Sequence, residues 1–132
     1  MDEQRVRELR EIERAVVPTP ELLEIERAVA PTLDEGLDDW VPVDTLIANA
    51  IQVMPETDDR FAEFFASVLD FLLREDLMVV GEIGNTGFEP WPATTIEDTV
   101  VRVVRDCQAV AWFARGGLCW LASTPKGKQR VR

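Results

Sequence analysis

The sequence predicts a mainly helical α+β domain. The chain has 132 residues, of which 46% are hydrophobic and 30% are charged, a composition typical of one globular domain. Several stretches repeat apolar residues at steps of three and four, the pattern of amphipathic helices. Two short aliphatic runs bounded by glycine, residues 77–80 and 118–122, have the pattern of strands. Together these observations favour packed helices with a small β-hairpin.

The first element is a near-repeat. Residues 11–19 read EIERAVVPT and residues 24–32 read EIERAVAPT, so the two copies differ only at Val17 and Ala30. A period of 13 residues that occurs twice is shorter than the usual solenoid unit. We interpret it as a local duplication of one helical element.

The duplication predicts a pair of short N-terminal helices. The first ends at Pro18, and the second begins with Thr19 as its cap and ends at Pro31. Helices this short are marginal alone in water, so both must dock on the chain or on a second molecule. We therefore assign residues 1–36 to an N-terminal duplicated helical segment, either an arm or part of the domain.

A short anchor and helix follow, from Trp40 to the closing Pro55, and then a longer helix that ends near Arg74. Asp58 or Asp59 is its expected cap. Apolar residues surround most of its circumference, including three phenylalanines that we expect to pack in the core. The remaining narrow polar stripe consists of Glu63, Ser67, Asp70 and Arg74.

The second half of the chain predicts two strands separated by a helix. The strand at 77–80 precedes a glycine-rich turn, which we interpret as a loop or wing tip. A capping box, either Thr94 with Glu97 or Thr95 with Asp98, begins the next helix at Ile96. Because residues 95–113 are rich in valine, a strand is the alternative to a helix there. The second strand, at 118–122, ends before the proline at position 125.

The residue types disfavour catalysis. The chain has no histidine, which removes the commonest general base and the commonest metal ligand. Cys107 and Cys119 are too few for a disulfide scaffold, and we expect two reduced thiols in the core. An acid pair such as Asp38 with Asp59 lacks a supporting motif for hydrolysis. The sequence therefore predicts no enzyme, no cofactor and no metal.

Charge is distributed unevenly along the chain, whose net charge is −11. Residues 1–59 carry 16 acidic and five basic residues, whereas residues 60–132 carry nine of each. An acidic face attracts cationic partners and repels phosphates, although a solvated surface that aids solubility has the same composition. No stretch approaches the roughly 18 apolar residues of a membrane span, and the first residues are charged. We expect a cytoplasmic protein without membrane contact.

The order of elements resembles a winged-helix domain over roughly residues 38–128. Two segments carry the resemblance. Residues 72–80 (LLREDLMVV) are similar to a recognition helix entering the first wing strand, and residues 124–128 (TPKGK) are similar to the stretch after the second. The chain departs from the pattern by placing about 30 residues between the wing strands. The resemblance implies a winged-helix-like core, to which we assign residues 37–125. Residues 126–132 form a basic tail, and we expect it to be mobile because it is a chain terminus.

The winged-helix resemblance implies a DNA-binding transcription regulator, a class of protein in which a polar, basic helix enters the major groove. Residues 58–76 instead carry six acidic and two basic residues. Residues 102–132 carry seven basic residues and one acidic residue. In this alternative, the contacts to nucleic acid come from Arg74, Lys126, Lys128 and Arg130.

The favoured hypothesis is a non-enzymatic protein-interaction module. Its acidic surface, supplied by the N-terminal helices, binds a protein partner or a second copy of the chain. A specific form is a small regulatory or immunity-type protein that neutralises a cationic partner. Nucleic acid remains the alternative partner.

Overall fold

A computed structural model describes residues 20–92 and 94–131 as five helices and four strands. The predicted helix of residues 6–17 lies outside the described residues. The fold is mainly helical α+β, as the sequence predicted. The elements in chain order are α1 (Pro20–Glu35), β1 (Val41–Pro42), α2 (Val43–Val53), α3 (Phe61–Arg74), β2 (Met78–Gly84), β3 (Gly87–Pro90), α4 (Ile96–Ala109), β4 (Trp120–Ser123) and α5 (Pro125–Val131).

The four strands form one antiparallel sheet in the order β1-β4-β2-β3. Leu121 of β4 is paired with Val41 on one side and with Val80 on the other. All three side chains are buried in the core. The sheet thus places β1, from the first half of the chain, next to β4, near the C-terminal end of the described residues. The helices pack on the sheet face from which these three side chains project.

Helix α3 is the centre of the core, and this prediction is confirmed. Six of its residues are buried: Phe61, Phe64, Phe65, Val68, Leu69 and Leu72. Phe61 and Phe65 contact the ring of Trp112, with centroid distances of 4.8 and 5.0 Å. Trp112 has a φ of 63°, a conformation that L-residues seldom adopt. Its ring is partly buried and packs against both phenylalanines.

Helix α1 continues through Pro31 to Glu35, so the predicted end at Pro31 is wrong. A proline inside a helix costs about 3 kcal/mol because it removes a hydrogen bond and crowds the preceding turn. The next residues offset that cost, since Thr32 and Leu33 are both buried. The Thr32 hydroxyl donates to the Ala28 carbonyl at 2.8 Å and accepts from the Asn49 amide at 2.9 Å. These contacts fix α1 on α2 of the same chain.

The observed start of α3 differs from the prediction, whereas the cap residue of α4 agrees with it. Arg60, not Asp58 or Asp59, occupies the cap position of α3, and it makes no side-chain cap. Asp58 instead closes the turn before the helix, where its carboxylate accepts from the Arg60 backbone N–H at 2.8 Å. For α4, Thr95 is confirmed as the cap, because its hydroxyl accepts from the Asp98 N–H at 3.0 Å. The predicted box is not completed, since the Asp98 carboxylate accepts from the Thr94 hydroxyl at 3.4 Å instead. In the segment 95–113, for which a strand was the alternative, the chain is helical from Ile96 to Ala109.

The two predicted strands correspond to β2 and β4, which pair with each other, but β2 is longer than predicted and also forms a hairpin with an additional strand. Strand β2 extends through Gly81 to Gly84, and β3, which was not predicted, returns from Gly87. The glycines had indicated a turn, yet Gly81 lies within the strand. A Cβ at that position would overlap the Glu89 carbonyl and the Phe88 ring. Gly81 is therefore required for close packing across the hairpin.

The expectation of a mobile basic tail is wrong for residues 125–131, which form α5. The Thr124 backbone N–H donates to the Leu77 carbonyl at 3.0 Å, and its hydroxyl donates to the Asp76 carbonyl at 2.6 Å. The same hydroxyl accepts from the Gly127 N–H at 3.0 Å, as a helix cap does. A Cβ on Gly127 would overlap the Leu77 carbonyl oxygen. The threonine and glycine of this segment thus hold α5 against β2.

Candidate protein-interaction groove

A groove of about 570 Å³ lies over α3, between α1 and α4. Its floor includes Ala66 and Ser67, whose side chains are too short to reach the neighbouring helices. Ile25 of α1 forms one wall, and Val100 and Val101 of α4 form the other. The small residues of α3 thus leave space between the α1 and α4 walls.

The groove continues toward the N-terminal end of α3. A second recess of about 490 Å³ shares Ile25, Ala66 and Ser67 with the first and adds Met54 and Phe64. Between Glu63 and Arg74 the helix rises about 17 Å at 1.5 Å per residue. We name the two recesses together the interaction groove, and its residues are Glu21, Glu24, Ile25, Met54, Arg60, Glu63, Phe64, Ala66, Ser67, Asp70, Phe71, Arg74, Glu75, Glu97, Val100 and Val101.

Acidic residues predominate at the rim of the groove. Its two bases are both engaged by carboxylates: Arg74 donates to Asp70 at 2.8 and 3.1 Å, and Arg60 donates twice to Asp58 at 3.2 Å. The other carboxylates make no ion pair within the described part of the chain. They are Glu21, Glu24, Glu63, Glu75 and Glu97.

The electrostatic effect of these acids reaches the two arginines. The hydrogen bond and charge of Asp70 raise the pKa of Arg74, and the charge of Glu97 raises it further. Arg60 has a raised pKa for the same reason, first through Asp58 and to a lesser extent through Glu24. A cationic ligand in the groove would therefore meet negative charge that the protein's own bases leave uncompensated.

Val101 is the most exposed apolar residue of the groove. Its side chain is 57% exposed, whereas the adjacent Val100 is buried against the core. Successive helical side chains point about 100° apart, and Val101 lies outside the part of α4 that faces the core. One apolar wall residue is thus presented to solvent beside the acidic rim.

The four residues predicted for nucleic-acid contact do not form a continuous basic surface. Arg74 lies in the groove, engaged by Asp70. Arg130 is paired with Glu26 of α1 and lies 5.2 Å from the Phe71 ring. Lys126 and Arg130 line a small recess that also contains Glu75.

Lys128 is exposed on α5 and does not line that recess. The structure thus brings Lys126 and Arg130 together with a carboxylate at the C-terminal end of α3. Half of the proposed phosphate contacts, Arg74 and Arg130, are already partnered by acids.

Both cysteines are buried free thiols. Burial raises the pKa of Cys107 to about 12 and that of Cys119 to about 12. These values include smaller contributions from nearby groups, chiefly Asp106 in the case of Cys107 and Cys107 in the case of Cys119. A thiol with such a pKa is almost entirely protonated at neutral pH, and only the thiolate is a strong nucleophile.

Two further features are absent from the described residues. Within 20–92 and 94–131, no group of three or more metal-binding side chains is placed to hold an ion. In the same part of the chain, no helix has the length and apolar character needed to cross a bilayer.

Comparison of the chain with protein-family models, curated proteins and solved structures gave no match. The site is therefore interpreted from its own geometry. Sequence reasoning identified the α3 stripe of Glu63, Ser67, Asp70 and Arg74 but not the walls of the groove.

Proposed function

We propose that the protein is a non-enzymatic interaction module whose groove binds a basic, amphipathic helix of a partner protein. The observation that carries the proposal is a groove in which apolar side chains such as Ile25, Phe71 and Val101 lie beside five carboxylates that make no ion pair within the described residues. An amphipathic helix binds such a groove through apolar residues spaced at i, i+4 and i+7. Lysine and arginine on its flanks match the acidic rim.

The dimensions of the groove support this partner. Its length along α3, about 17 Å, accommodates about 11 residues of helix at 1.5 Å per residue. A ligand side chain placed on Ser67 would contact both halves of the groove. An interface of this size is small, so we expect micromolar affinity and strong dependence on salt. A transient regulatory complex, or neutralisation of a cationic protein in the manner of an immunity protein, has these properties.

We also propose that the scaffold is a variant of the winged helix. Support comes from the short strand β1 before the two helices α2 and α3, and from its pairing with β4 next to β2. In this variant α4 is inserted between the wing strands and packs along α3, the helix that would otherwise read DNA. The exposed side of α3 then forms part of an acidic groove, whose negative charge repels phosphate.

We propose the cytoplasm as the place where the module acts. Both of its cysteines are buried and carry free thiols. Reducing compartments maintain cysteines as free thiols.

A titration tests the class of partner. The probe is a fluorescent peptide of about 14 residues with leucine at i, i+4 and i+7 and lysine on the flanks. We expect saturable binding in the micromolar range at 50 mM salt, weakened roughly tenfold at 300 mM by screening. A control peptide with glutamate for lysine should not bind. If the acidic peptide binds equally well, or if duplex DNA binds more tightly than the basic peptide, the proposal is wrong.

A further inference from the structure

The second copy of the N-terminal near-repeat lies in α1, and the residues that it buries are shared by the first copy. The likeness extends beyond residues 11–19: residues 8–19 (ELREIERAVVPT) and 21–32 (ELLEIERAVAPT) are identical at ten of twelve positions. The two differences fall at Leu23 and Ala30, which are both exposed on α1. Every residue of α1 that is buried within this span has an identical counterpart 13 residues earlier.

Those identical residues are the ones that hold α1 in place. Ala28, Val29 and Thr32 are completely buried, and α1 packs on α2, α3 and α5. We call the surface that receives them the α1 seat. Its polar contact, from the Asn49 amide to the Thr32 hydroxyl, has a matching group in Thr19 of the first copy.

Contacts at the edge of the seat are repeated as well. Glu26 accepts from Arg130 of α5, and its counterpart is Glu13. Ile25 and Glu24 form the α1 wall of the interaction groove, and their counterparts are an isoleucine and a glutamate. The first copy thus offers the seat the same apolar, polar and charged groups.

The residues immediately after each copy distinguish the two. After Thr32 the chain continues with the buried Leu33 and Gly36. A Cβ on Gly36 would overlap the Ser123 hydroxyl and crowd the end of the Met78 side chain, so a larger residue at this distance from the threonine would require these side chains to move. The first copy has Pro20 and Leu23 at the equivalent positions. The second copy therefore fits better at its C-terminal end, which explains why it occupies the seat.

We propose that residues 8–19 are a second ligand of the α1 seat and replace residues 21–32 in a less populated register of the same molecule. The copies are joined within one chain, so the first copy has a high effective concentration at the seat. Exchange requires residues 20–40 to close a longer loop, and the entropic cost of closure grows only slowly with loop length. The groove keeps its chemistry in both registers, because its α1 wall is replaced by identical residues.

A double-mutant cycle in the full-length protein tests the exchange. Val29→Asp places an unpaired carboxylate in the seat, and Val16→Asp does the same to the first copy. We expect Val16→Asp alone to leave the thermal midpoint within about 2 °C of the unmodified protein. Val29→Asp should retain a cooperative transition at a lower midpoint, because the first copy takes the seat. The double variant should lose the transition or unfold at least about 10 °C lower still.

Val68→Asp is the matched control, since Val68 is equally buried on α3 and has no duplicate. Adding Val16→Asp to it should change nothing. A milder pair, Val16→Thr and Val29→Thr, repeats the cycle for the case in which the aspartate variants do not fold. The proposal is overturned if the effects at positions 16 and 29 are additive in both cycles. It is also overturned if Val16→Asp alone lowers the midpoint as much as Val29→Asp, which would show a separate seat for the first copy.

Discussion

Phe65→Ala is expected to lower the free energy of unfolding by about 3 to 5 kcal/mol, a large share of the 5 to 15 kcal/mol typical of a domain. Phe65 is completely buried on the central helix. Its ring contacts Trp112 at 5.0 Å and Phe61 at 6.3 Å, so truncation leaves a cavity between two rigid aromatic rings. Denaturant unfolding followed by tryptophan fluorescence measures the loss.

Phe113→Ala is the control for this prediction. Phe113 is adjacent to Trp112 but its side chain is 65% exposed, and we expect a change within about 0.5 kcal/mol. Similar losses for the two alanine variants would mean that the core is not centred on α3.

Gly127→Ala is expected to destabilise the protein by about 1 to 3 kcal/mol, as overpacking of a tight contact does. The sign opposes the usual trend, because replacing glycine with alanine inside a helix ordinarily stabilises it by up to about 1 kcal/mol. Here the new methyl group would overlap the Leu77 carbonyl oxygen and push α5 away from β2. Thermal unfolding followed by circular dichroism measures the effect.

Gly117→Ala is the matched variant. A Cβ at Gly117 meets no atom within 4 Å, so the substitution should leave stability unchanged or raise it slightly. A stabilised Gly127→Ala variant would show that α5 does not pack against the strand as described.

The sequence predicted the helices well where periodicity was decisive. The apolar residues around α3 and the cap at Thr95 both correspond to the observed elements. The errors arose where a local rule was overridden by tertiary contacts. Pro31 indicated a helix end, but burial of the following Leu33 continues α1. Gly81 indicated a turn, but the close approach of β3 requires a glycine within β2.

The groove was less accessible to sequence reasoning than the fold. Its polar stripe on α3 is a local pattern, but its walls come from α1 and α4, which are separated by about 70 residues in the chain. Only the packing of those helices brings Ile25 and Val101 to the same opening. The uneven charge of the chain predicted only part of the groove, because Glu21 and Glu24 belong to the acidic first half whereas Glu63, Glu75 and Glu97 come from the half with balanced charge.

The most direct test of the proposed groove is the affinity of the basic peptide for two variants with the same change in charge. Ser67→Arg places a bulky cation where the halves of the groove meet. Ala48→Arg places the same side chain on an exposed position of α2 outside the groove. We predict that Ser67→Arg weakens binding at least tenfold, about 1.4 kcal/mol, while Ala48→Arg stays within about twofold of the unmodified protein. Equal losses in the two variants would show that the peptide responds only to net charge and would contradict binding in the groove.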